Sequence, residues 1–457
     1  MMTSGGGLTT VETARQHPIR LVESGPAGGA ILAGHIAMEC GLDKVLSYDM
    51  GGTTAKICLI DGGRPQTSRT FEVDRQYRFT KGSGLPLRIP VIEMVEIGAG
   101  GGSIAQIDNL GRIQVGPESA GSEPGPACYG QGGTGATVTD ADVALGRIAP
   151  AGFAGGSVQL SPDLAEAALD ETIAQKLNLD GPLAAFAVSE MVEENMSNAA
   201  RVHAVEQGKE LAERTLIAFG GAAPLHACRM AEKLGMDRVI IPQGAGVGSA
   251  IGFLAAPVSY EVVRSRYTQL AAVEPEGLDK MFTEMHDEAH AIVVSGAPEA
   301  ALEERRIAYM RYIGQGHEIV VEVPARALSK DDGPALRAAY DKAYADLFGR
   351  DIPSMEVEIL TWALSVATLQ PTPPPQPDVG DAGMATASGE RNLFDADLTD
   401  YVAAPVYQRA DLSPGMTLQG PALIAEAQTT TAVTAHFQAR IDGAGHIEIT
   451  RKTGAAS

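Results

Sequence analysis

Cysteine is scarce and scattered. Cys40, Cys58, Cys128 and Cys228 are the four in 457 residues, and no two stand at Cys-x-x-Cys spacing. That excludes a disulfide framework, speaks against a zinc site built on cysteine, and makes the reducing cytoplasm the expected compartment. Basic residues are outnumbered, 35 Lys and Arg against 57 Asp and Glu, for a formal charge of -22. Nucleic acid and anionic membrane both demand a basic face, so neither is expected as a partner. No apolar run approaches the ~20 residues that span a bilayer. The opening MMTSGGGLTT has neither the basic flank nor the apolar core of a signal peptide. Aromatics are few, at 5%, while the apolar content of 44% is ordinary for a globular chain.

Glycine is plentiful, and it gathers at a few places. Val45 to Ile60 reads as two apolar runs joined by Asp49-Met50-Gly51-Gly52-Thr53-Thr54. Two glycines let a phosphate come close to the backbone, and successive N–H groups in such a turn form an anion-binding concavity. Thr53 and Thr54 add hydroxyl donors, and Asp49 at a strand end suits Mg²⁺ or its water shell. The plain alternative is a hairpin whose Gly-Gly turn is only geometry. A second such place is Thr215–Phe219 followed by Gly220-Gly221-Ala222-Ala223-Pro224-Leu225-His226. A buried strand, a Gly-Gly turn and a helix N-terminus suit the base or phosphates of a nucleotide. The next unit, RVIIP and then Gln243 to Ser249, repeats the plan, which means an α/β layer structure.

Other glycine clusters lie at Ser24 to Gly29, before a helix expected from about Gly29 to Cys40, and at Gly98 to Gly102, before Ser103. Each reads either as ligand approach or as a packing corner that tolerates only glycine. Residues 116–135 form a long irregular loop, and a helix opens near Thr139 and Asp140. Asp140 and Asp142 read either as metal ligands or as helix caps, with capping the cheaper explanation. Cys128 has no evident base beside it and reads as structural. The extended segment 71–88 offers Lys81 and Arg88 as substrate contacts or as solvated loop charges. Two helices are expected across 161–208, the second carrying a Met-containing apolar stripe. Alternation through Ile307 to Val323 around Gly314-Gln315-Gly316 predicts a hairpin.

The motifs SGPAGG (24–29), DMGGTTAK (49–56), GAGGGSIA (98–105), VGPESAGSEPGPACYG (115–130), TVTDADVALGRI (137–148), AFGGAAPLHA (218–227) and MRYIGQGHEI (310–319) occur in one order along nearly the whole chain. Together they resemble the hydantoinase A/5-oxoprolinase family. The resemblance implies an α/β, actin-like (ribonuclease H-like) ATPase core over residues 1–258. An α+β domain (259–370), a linker (371–390) and a small β-rich domain (391–457) are expected to follow. It implies ATP-dependent phosphorylation of the carbonyl oxygen of a cyclic amide such as a hydantoin or 5-oxoproline, then ring-opening hydrolysis, with a hydantoinase B-like partner. Some relatives of this type are subunits of ATP-dependent ketone carboxylases, which is the alternative. Under this reading ATP and Mg²⁺ are the cofactors. Asp49 engages the metal. Gly51, Gly52, Thr53, Thr54 and Lys56 hold phosphates, and Gly220, Gly221 and Ala222 line the adenosine. Asp140 and His226 are the candidate acid–base residues.

The chain departs from the family pattern in three places. It contains one Asp-Gly-Gly-Thr-like element where members usually carry another in an N-terminal lobe, so the expected core is incomplete at its N-terminus. A separate lobe polypeptide, a truncated gene product and a non-catalytic scaffold subunit are the readings this opens. Ala55-Lys56 stands where many relatives have Thr-Asp, removing a second acid; Lys56 points either at a phosphate or to solvent. Ala223 stands where glycine is common, which adds a methyl beside the presumed adenosine.

Overall fold

The computed structural model describes residues 1–73 and 82–452. The chain divides into two compact units, one of Met1–Ala27, Ser68–Val91 and Ala256–Pro371, the other of Gly28–Thr67, Ile92–Ala255 and Thr372–Ser457. No helix among the described residues is long and apolar enough to cross a membrane.

The larger unit is built on a nine-stranded sheet. After helix α1 (Ser24–Glu39) come β1 (Lys44–Met50), β2 (Ala55–Asp61), β3 (Arg64–Pro65) and β4 (Val95–Ile97). Helices α2 (Val138–Ala144) and α3 (Gly181–Glu206) precede β5 (Thr215–Phe219), α4 (Ala223–Leu234), β6 (Arg238–Ile241) and α5 (Gly248–Ala255). The last strands are β7 (Thr417–Gln419), β8 (Phe437–Ile441) and β9 (Ile447–Arg451). The order is β7-β8-β9-β6-β5-β1-β2-β3, with β4 also on β2. β1 is antiparallel to β2 and parallel to β5, and β5 is parallel to β6. The parallel strands are covered on both faces, which is why every residue of β5 is buried and why its text is a continuous apolar run.

Local signals explain the helices. Asp180 caps α3 by accepting from the Leu183 N–H, and Pro182 sits in its first turn. Gly235 in the left-handed region ends α4. α2 starts earlier than the Thr139 or Asp140 cap expected from sequence. Thr137 is the N-cap, and Asp140 closes a reciprocal capping box by accepting from the Thr137 N–H. α1 also starts earlier than expected, at Ser24, and its glycines serve packing. A Cβ on Gly28 would lie 2.3 Å from Phe253 Cε1, and one on Gly252 would lie 1.8 Å from the Gly28 carbonyl oxygen. α1 and α5 therefore meet backbone to backbone.

The smaller unit carries a four-stranded sheet, Ser259–Gln269, Val357–Thr368, Leu302–Tyr312 and Ile319–Val323 in that order, with helices Pro275–Gly296 and Asp332–Phe348. Its core centres on Trp362, Phe282, Tyr312 and Tyr340, and Phe282 meets Trp362 edge-on at 5.7 Å. The hairpin at Gly314-Gln315-Gly316 forms as predicted.

This division differs from the expected one at both chain ends. Residues 1–27 cluster with the α+β sheet, where Leu8 bridges Val258. Residues 391–457 do not stand apart: β9 pairs with β6 and completes the central sheet. Pairings between strands so distant in sequence leave no mark in composition. Gly252→Ala is expected to lower stability by about 3 kcal/mol, since a methyl there has only backbone to meet; urea denaturation measures this.

Candidate functional site

Three glycine turns lie together at the C-terminal ends of β1, β5 and β6. Asp49 stands opposite Phe219 in the parallel register. Beyond them, the Ala222 N–H donates to the Met50 carbonyl at 3.0 Å and the Gly220 N–H to the Ala245 carbonyl at 2.7 Å. A Cβ on Gly220, whose φ is +99°, would lie 2.3 Å from the Met50 oxygen and 2.7 Å from Asp49 Oδ1. Only glycine admits this approach.

Asp49 is held in a cage. Its Oδ2 accepts from the Ser249 hydroxyl at 2.5 Å. A Cβ on Gly29 would be 2.9 Å from Ser249 Oγ and 3.1 Å from Asp49 Oδ2. Burial pushes the Asp49 carboxyl above its ordinary value, against the opposing pull of Ser249 and Lys56.

The turn after β1 is oriented by the loop that follows β4. The Gly101 N–H donates to the Gly51 carbonyl at 3.0 Å and the Gly102 N–H to the Gly52 carbonyl at 2.6 Å. In a trans peptide the carbonyl and the next N–H point in opposite directions. The N–H groups of Gly52 and Thr53 therefore face away from that loop, at a tip where both residues are exposed. A Cβ on Gly51 or Gly52 would meet nothing within 4 Å, whereas one on Gly100 would strike the Gly52 carbonyl carbon and Thr53 nitrogen at 2.6 Å. An open row of outward N–H donors beside a carboxylate suits a phosphate and its metal ion. Lys56 turns back, its Nζ donating to Thr54 Oγ1 at 2.5 Å and lying 3.5 Å from Glu96.

Asp140 and His226 are placed elsewhere. Asp140 is fully buried and accepts from the backbone N–H groups of Cys128 (2.7 Å), Thr137 (2.9 Å) and Ala127 (3.3 Å), and from the Thr137 hydroxyl (2.7 Å). It ties the glycine-rich loop to α2. His226 is likewise buried, its Nδ1 2.9 Å from Glu193 and its Nε2 3.3 Å from Asp142. Arg147 joins the cluster, 3.0 Å from Asp142 and 2.7 Å from Ser189. Burial alone would lower the His226 pKa, but Asp142 and Glu193 raise it to about 9. Burial alone would raise Glu193, but the His226 hydrogen bond and the Arg147 charge bring it down to about 2. Asp142, weighed as a metal ligand, is thus an ion-pair partner. Arg88 is exposed, and Lys81 lies outside the described residues.

Sequence reading missed Ser249 as the partner of Asp49, although it quoted the turn containing it. It also missed the Arg147–Glu193–His226 cluster, whose members fall in three separate segments. Cys40 comes near Asp442 and His446. There, however, His446 Nδ1 accepts from the Gln243 N–H and Nε2 faces Glu39, so both ring nitrogens are already engaged.

The fold and turns have known counterparts. A family model described as hydantoinase/oxoprolinase matches residues 1–262, and one for the hydantoinase/oxoprolinase C-terminal domain matches residues 267–450. The chain belongs to the hydantoinase/oxoprolinase family. It is 32% identical to the caprolactamase subunit alpha of Pseudomonas jessenii, over 98% of this chain and 64% of that one. The crystal structure of ATP-dependent caprolactamase from that organism superposes with a TM-score of 0.81 at 31% identity, covering 98% of this chain and 65% of its own. A nucleotide-free structure of acetone carboxylase, from work on ATP-dependent acetone carboxylation, gives 0.77 at 26%, covering 99% and 64%. The chain thus spans somewhat under two thirds of the length of these relatives.

Two outcomes follow. Asp140→Ala is expected to cost about 3 kcal/mol, because it strands buried N–H donors, as read by denaturant titration. The His226 pKa is raised, so its contribution is complete below about pH 6.5 and is lost as pH climbs through about 9. Melting temperature should fall across that interval in the wild type and fall less in His226→Gln.

Proposed function

We propose that the nine-stranded sheet is the ribonuclease H-like core of an actin-like ATPase and that the chain is an A-type subunit activating a carbonyl with ATP. The order β3-β2-β1-β5-β6, with β2 antiparallel and β5 and β6 parallel to β1, supports the fold assignment. The carrying observation for ATP is the outward-facing Gly52 and Thr53 N–H groups beside the caged Asp49. In this reading Gly51, Gly52, Thr53 and Thr54 bind phosphate oxygens, and Asp49 holds Mg²⁺ directly or through water. Gly220, Gly221 and Ala222 line the nucleoside. Lys56 fixes Thr54 rather than reaching for phosphate.

The chemistry favoured is transfer of the terminal phosphoryl group to the carbonyl oxygen of a cyclic amide. An amide is a poor electrophile, and its O-phosphoryl form is a far better one. The protein's part is positioning and charge stabilisation. Asp140 and His226 act through structure, fixing the loop and α4 that frame the turns. Ring opening belongs to a hydantoinase B-like partner. Ketone activation for carboxylation is the second reading, favoured by the likeness to acetone carboxylase. Mg-ATP titrated calorimetrically into the 457-residue chain should bind at tens of micromolar or tighter. Asp49→Ala should weaken binding at least ten-fold; unchanged binding in that variant sinks the proposal.

A further inference from the structure

The larger unit holds a cavity of about 480 Å³ beyond the C-terminal end of β6. Its walls include Gln243 and Gly244 from the β6 turn, Arg409, Glu426, and Gly443 and Gly445 from the turn before β9. Glu426 Oε1 is buried and has no hydrogen-bond partner. A buried acceptor without a donor is rare in native proteins and costs free energy comparable to a lost hydrogen bond. Arg409 donates to the Gly445 carbonyl. It attracts Glu426 electrostatically, yet the orphaned oxygen receives no hydrogen bond from it. The cavity is thus lined by Glu426, one of whose carboxylate oxygens is buried and unpartnered, and by the planar guanidinium residue Arg409.

The segment that carries one wall of this cavity also touches the glycine turns. Residues 426–429 run from Glu426 to Thr429, whose hydroxyl donates to the Gly221 carbonyl at 3.0 Å. Gln428 Cβ lies 2.5 Å from where a Cβ on Gly246 would be. From β1 to β6 is two strand spacings, roughly 10 Å, within reach of a triphosphate chain and its sugar.

We propose that the cavity takes the nucleoside end of the nucleotide, with Glu426 accepting from a ribose hydroxyl and Arg409 flanking the base. This rests on the phosphate reading above. A carboxylate is the usual acceptor for a ribose hydroxyl in dinucleotide sites, and a guanidinium stacks well on aromatic faces. Gln243 and Gly244 belong to the third strand–glycine turn read in the sequence, whereas Arg409 and Glu426 belong to no motif singled out there.

The test is calorimetric binding of Mg-ATP, Mg-2′,3′-dideoxy-ATP and inorganic tripolyphosphate to the wild-type chain, Glu426→Ala and the isosteric Glu426→Gln. The wild type should prefer ATP to the dideoxy analogue by about ten-fold, the worth of a hydrogen bond to a charged group. Glu426→Ala should bind both alike, at the weaker level, and Glu426→Gln should fall between. Tripolyphosphate affinity should be the same in all three, which separates a ribose effect from misfolding. If Glu426→Ala keeps the ATP preference, the inference fails while the phosphate reading stands. If neither tripolyphosphate nor ATP binds the folded wild type, both fail.

Discussion

The turn after β1 depends on two hydrogen bonds that hold its carbonyls inward. The N–H groups of Gly101 and Gly102 engage the Gly51 and Gly52 carbonyls, and peptide planarity then turns the neighbouring donors outward. Without that second loop, a Gly-Gly hairpin would be free to take several arrangements. The loop is in turn held by Thr139, whose N–H and hydroxyl both reach the Gly101 carbonyl, at 2.7 and 2.8 Å. Thr139 is on α2, and Asp140 fixes α2 to the preceding irregular loop. A chain of short-range constraints therefore runs from a buried carboxylate to an exposed donor row.

Beneath this surface lies a second layer of buried charge. His226, Glu193, Asp142 and Arg147 neutralise one another where water is excluded. Removing any one would leave an uncompensated charge, so the cluster constrains composition more than it adds stability. Tyr48, on β1 itself, is buried against the sulfurs of Met50 and Met196. The Met stripe of α3 is thereby core packing.

The α/β character, the strand–Gly–helix units and the hairpin at Gly314-Gln315-Gly316 were legible because each signal is local. Gly51 and Gly220 were readable as turns for the same reason. The rest required contacts between distant segments. Asp49 meets Ser249, Gly101 meets Gly51, and Glu426 joins the wall beside Gln243; no window of sequence contains both partners of any of these. His226 shows the opposite failing. A histidine in the first turn of a helix after a Gly-Gly turn invites a ligand reading, and only its neighbours on α2 and α3 show it facing inward.

The pairing of β9 with β6 bears on how the chain is made. β6 is a central strand in the finished sheet, yet its outer partner is the last strand in the described chain. During synthesis its edge stays open until residues 447–451, far along the chain from β6, have been made. An apolar strand with an unpaired edge is a template for association with other chains. The interval of synthesis between β6 and β9 is thus the one in which this edge is open to aggregation, and residues 447–451 are what close it.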